Sequence, residues 1–95
     1  MEQTDQEKAV ECMNRIIDLA NTMKNEGHHS SLISAAMMSA SAVFATFAAV
    51  GNTGGLTETG VDKVVEAYRA QVEHVQRVRR EEDDMRRAAA TDAGS

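Results

Sequence analysis

Residues 27–57 contain no Asp, Glu, Lys or Arg, and this gap in charge constrains the fold more than any other feature of the chain. The charge lies at the two ends, −3 over residues 1–26 and −2 over residues 57–95, for a formal net charge of −5. A long uncharged stretch in water has to be covered by something, so the rest of the sequence is read for what can cover it.

The stretch reads as a helix. From Ser30 or Ser31, either of which suits an N-cap, apolar and small residues continue to Val50. Gly51-Asn52-Thr53-Gly54-Gly55 then ends the run with residues that tolerate positive φ. Ile33, Met37, Phe44 and Phe47 fall on one face with Ala40 and Val43. Ser34, Met38, Ser41, Ala45 and Ala49 fall on a second face of mostly small side chains. Neither face is charged, so two amphipathic neighbours cover only part of the circumference.

Those neighbours are visible on either side. Thr4 followed by Glu7 is a capping-box pattern that opens a first helix, with Asp5 at the positive end of its dipole. Ala9, Met13, Ile16, Ala20 and Met23, widened by Val10 and Ile17, form a single apolar stripe. Lys24 and Gly27 close the helix near Glu26. Thr59, with Asp62 three residues on, predicts the start of a third helix, and Val61, Val65, Tyr68, Val72 and Val75 form its seam at alternating spacings of four and three. The next seam position is Arg79, and residues 76–87 become mostly charge. Arg79–Asp83, Arg80–Asp84, Glu82–Arg86 and Asp83–Arg87 stand four apart.

The fold predicted is all-α: a three-helix antiparallel bundle with a charged C-terminal helical extension, one domain over residues 1–90 and a disordered tail over 91–95. The absence of Pro and the abundance of Ala, Met, Glu and Arg agree with helices throughout.

Chemistry-bearing patterns are sparse. His28 and His29 stand at a turn with Cys12 and Glu26 as conceivable co-ligands, but adjacent histidines point in different directions and no HExxH or paired-Cys spacing occurs. No metal or cofactor is expected. His74 reads as a surface residue, and Cys12 as a small buried apolar one. The glycines of residues 51–60 lack the Lys-Ser/Thr ending of a phosphate loop. Acidic pairs such as Glu58 with Asp62 lie on a solvent-facing helix surface, so no catalytic residue is nominated and the chain is not expected to be an enzyme. Arg77, Arg79, Arg80, Arg86 and Arg87 are the only basic cluster, and Glu81, Glu82, Asp83 and Asp84 within it offset the field a nucleic acid would require.

Cover for the middle helix then comes from a second copy, another protein or lipid. Residues 32–50 span about 28 Å, close to a bilayer core. Against lipid stand four hydroxyl side chains, many Ala, no flanking Lys or Arg and no interfacial Trp or Tyr. The expectation is therefore a homodimer acting as a protein–protein interaction module, an adaptor or regulator. Its contact is placed on Ser34, Met38, Ser41, Ala45 and Ala49, or on Val72 and Val75 of the third-helix seam. Arg79, Arg80, Glu82, Asp83 and Arg86 form a possible partner-binding tail. Two alternatives remain: a small acidic inhibitor, of the kind phages and mobile elements encode, that binds a host protein complex, and a membrane-associated protein using helix 32–50. A lone thiol, and a first apolar stretch interrupted by Glu7, Lys8, Glu11 and Arg15, point to the cytoplasm without a signal peptide.

Ile17-Asp18-Leu19-Ala20-Asn21, Ser31, Ala42-Val43-Phe44-Ala45-Thr46-Phe47 and Val65-Glu66-Ala67-Tyr68-Arg69 together resemble a family of small uncharacterised bacterial helical proteins, classed as a domain of unknown function. The likeness covers roughly residues 13 to 75. It implies a soluble helical fold and brings no activity or functional residues with it.

Overall fold

The structure is a computed structural model that describes residues 2–94. Met1, at the start of the domain foreseen for residues 1–90, and Ser95, at the end of the tail foreseen for residues 91–95, lie outside the described residues. It is all-α: α1 spans Asp5–Asn25, α2 Ser30–Val50 and α3 Glu58–Gly94, with no strand among the described residues. The chain divides into two units, Met1–Phe47 and Ala48–Ser95.

In the first unit, local backbone chemistry sets both ends of α1. Thr4 is the N-cap, its Oγ1 accepting from the Glu7 N–H at 3.1 Å, and Asp5 and Glu7 sit in the first turn where the helix dipole favours them. At the other end Gly27 takes φ 103°, a conformation that costs a residue with a Cβ roughly 1–2 kcal/mol. The Gly27 N–H donates to the Lys24 carbonyl at 3.0 Å and the His28 N–H to the Met23 carbonyl at 3.2 Å. This pair of bonds is the Schellman closure, and it satisfies carbonyls that would otherwise be left unpaired. It also delivers the chain directly into α2. The His29 carbonyl accepts from the Ile33 N–H at 3.1 Å, so Ser30 is already helical and neither Ser30 nor Ser31 is the cap.

Packing in this unit is closest at the turns nearest the corner, and Ala45 and Thr46 farther along α2 are half-buried. Ile33 is buried, at 7% exposure, and is the only buried residue of the described chain. Ala20 and Met23 of α1 are half-buried. Further along the same stripes the side chains are exposed: Met13 and Ile16 on α1, Phe44 and Phe47 on α2. Cys12 is exposed as well, against the expectation of a buried apolar residue.

The second unit contains the end of α2, the glycine loop and α3. Gly51 and Gly54 adopt φ 75° and 82°, as the composition of the loop foretells, and end α2. The start of α3 departs from the sequence reading. Thr57, not Thr59, caps the helix: its Oγ1 accepts from the Gly60 N–H at 3.1 Å and its carbonyl from the Val61 N–H at 2.9 Å. Two threonines stand two residues apart, and the earlier one places Glu58 in the first turn beside the free N–H groups. At its far end α3 passes through Thr91 to Gly94, within the tail foreseen as disordered. Ala88, Ala89 and Ala90 are the strongest helix formers, and the Thr91 hydroxyl donates to the Arg87 carbonyl at 3.0 Å.

Thr57→Ala therefore costs about 1 kcal/mol of stability, while Thr59→Ala, inside the first turn, is neutral or slightly stabilising. Urea denaturation followed by circular dichroism separates the two, and the reverse order would restore Thr59 as the cap.

Candidate functional site

The residues nominated from sequence fall into three groups. On α2, Ser34, Met38, Ser41 and Ala49 are exposed and Ala45 is half-buried, all on one side of the helix. Ser34 also borders the corner, lining a depression of about 240 Å³ with Ala20, Asn21, Lys24, Ile33 and Met37. That volume lies below the roughly 300 Å³ at which small-molecule sites begin. On α3, Val72 and Val75 are exposed at 41% and 49%. In the charged segment Arg79, Arg80, Glu82 and Arg86 are exposed and Asp83 is half-buried.

Of the ion pairs read from the spacing of residues 76–87, one forms: Arg87 to Asp83 at 3.1 Å. Arg79–Asp83, Arg80–Asp84 and Glu82–Arg86 are not made among the described residues. Asp83 has a candidate cation four residues away on either side, and it takes Arg87. A second pair, Arg69 to Glu73 at 3.4 Å, lies earlier on α3 and was not nominated. Exposed i, i+4 pairs contribute little, typically below 1 kcal/mol, so the charges of residues 76–87 do not stabilise the helix much on their own.

One feature of α2 was missed from sequence. The face that carries its large side chains is uncovered as well: Val43 is 72% exposed, Phe44 71% and Phe47 49%. The two rings lie 5.9 Å apart between centroids and are inclined at 53°, a tilted aromatic contact within one turn that leaves both outward. The absence of charge on both faces carried the signal. The sequence predicts only that two neighbours leave part of the circumference uncovered; beyond the corner the uncovered part includes the large-residue face.

Groups that do chemistry do not converge. Among the described residues no three His, Cys, Asp or Glu side chains gather where they could hold a metal ion. Among the described residues no polar or charged side chain is buried. The other depression, about 470 Å³, is lined by Lys63, Glu66, Ala67, Arg69, Ala70 and Glu73, all from α3, and is a groove along one helix surface. What the described surface offers in quantity is uncharged apolar area on α2.

A family described as proteins of unknown function, DUF3144, matches residues 10–77. The match opens within α1, takes in all of α2 and ends two residues past Val75, where the apolar seam of α3 gives way to charge. No curated protein and no solved structure matches the chain.

Ile33→Ala is expected to cost about 2–5 kcal/mol, because it truncates the buried side chain at the corner. Leu19, 61% exposed and off the α1 stripe, loses no more than about 0.5 kcal/mol on the same truncation. Urea titrations of the two variants measure the difference, and equal losses would place Leu19 in a buried contact.

Proposed function

The chain belongs to the DUF3144 family of proteins of unknown function, and on that premise we propose that it acts by protein–protein association, as a homodimeric adaptor or regulator whose contact is built on α2. The arrangement proposed for each protomer is an antiparallel three-helix bundle with the charged end of α3 as an extension. The proposed role is cytoplasmic and non-catalytic, with no cofactor and no nucleic acid.

One observation carries this reading: Ile33 is the only buried residue described, while Leu32, Met38, Val43, Phe44 and Phe47 stand 49–72% exposed on a helix without a charge. Fully burying a side chain of this kind is worth about 1.5–3 kcal/mol, so covering these five is worth on the order of 10 kcal/mol, of which the small-residue face, carrying Met38, supplies one share and the face of Val43, Phe44 and Phe47 most of the rest. That matches the whole net stability of a typical domain, about 5–15 kcal/mol. A second copy is the favoured cover because it brings an equally uncharged surface, and because Ala45 with Ser41 and Ala49 lets two helices approach closely.

A membrane reading has its own supporting observation. Ser30–Val50 is long and apolar enough to cross a bilayer, and little of it is buried. Six hydroxyl residues and the lack of flanking cations keep it second.

Light scattering after gel filtration without detergent tests both. The expected mass is twice 10.3 kDa, and Ala45→Glu is expected to reduce it to that of one chain, since the contact would then bury an unpaired charge. A dimer untouched by Ala45→Glu would move the contact off the small-residue face. A wild-type chain recovered only with detergent would replace the dimer with the membrane.

A further inference from the structure

We infer that the charged end of α3 is a second self-association segment, pairing antiparallel with the same segment of another copy about a two-fold axis between Arg80 and Glu81. Three observations lead there. At 37 residues against 21 for α1 and α2, α3 is roughly 24 Å longer than either at about 1.5 Å per residue. The excess is therefore more than either of those helices can match in length. Its charges are arranged in blocks: Arg77, Arg79 and Arg80 are followed by Glu81, Glu82, Asp83 and Asp84, and then by Arg86 and Arg87. Within the segment only Asp83–Arg87 is paired among the described residues. Apolar side chains also persist through it, uncovered: Val75 at 49% exposure, Val78 at 37% and Met85 at 72%.

An antiparallel copy reverses the block order. With the axis between Arg80 and Glu81, the basic block of residues 77–80 lies at the height of the acidic block 81–84 of the second copy, and the reverse holds by symmetry. The same operation sets Met85 at the height of the second copy's residue 76, between its Val75 and Val78, so apolar meets apolar. A parallel, in-register pair would instead set acid against acid and base against base, which is repulsive across every turn. The pattern is thus self-complementary in one orientation only, as an isologous contact requires.

Spin labels on single-cysteine variants of the full chain test this, each in a Cys12→Ser background: Gln76→Cys, Ala88→Cys and Ala70→Cys. Between two copies, the separation along the helix axis is expected to rise in that order, about 14, 23 and 32 Å at 1.5 Å per residue. Equal distances at the three sites would mean a parallel pair, and no inter-copy distance would mean a solvated helix; either overturns the proposal. A charge test keeps it falsifiable against simple loss of helix. Arg77→Glu/Arg79→Glu/Arg80→Glu loses the Gln76→Cys distance, as does Glu81→Arg/Glu82→Arg/Asp83→Arg/Asp84→Arg, and an equimolar mixture of the two recovers it. Failure to recover overturns the pairing. The α2 contact is read by mass and this one by distance, so a dimeric mass without these distances removes the α3 pairing alone.

Discussion

The absence of charge along α2 is the condition on which the rest of this structure depends. An ordinary surface helix meets water with one polar face and its neighbours with one apolar stripe. Here no such division exists, and every direction around α2 exposes carbon, hydroxyl or backbone. The corner with α1 uses a small part of that surface, enough to bury Ile33 and to half-bury Ala20 and Met23. The remainder, with Phe44 and Phe47 at its centre, is a surface whose free energy falls when something apolar lies on it.

The helices themselves are determined locally. Thr4 and Thr57 cap their helices through side-chain acceptors within three residues, and Gly27 closes α1 with two backbone bonds. None of these needs a packed core. Helical segments with good ends and little burial are marginal when isolated, because helix stability in proteins comes mostly from packing an apolar face. In the proposed dimer that packing is supplied between chains, which would couple the stability of the protomer to its concentration.

The two proposed contacts draw on different physics. On α2 the driving term is apolar area, which is non-directional and strong. Small side chains at Ser41, Ala45 and Ala49 govern how closely a partner approaches. On the end of α3 the apolar residues are few and the charge blocks choose orientation, since screened surface charges discriminate between arrangements better than they stabilise any one of them. A chain using both would take its affinity from the first and its geometry from the second.

Three helices, their approximate limits, the Thr4 cap, the left-handed Gly27 and the positive-φ loop after Val50 were all legible in the sequence, because each depends on residues within about one helical turn of one another. The nominated α2 residues and Val72 and Val75 were legible as a surface in need of cover for a similar reason: periodicity assigns faces without reference to neighbours. The choice of Thr57 over Thr59 and of Arg87 over Arg79 as the partner of Asp83 needed the coordinates, since each sets nearly equal local options against one another. The exposure of Cys12, Phe44 and Phe47 also needed them. Periodicity names the side of a helix a residue occupies, but burial depends on whether a segment distant in sequence reaches that side, and of the described residues this happens fully only at Ile33.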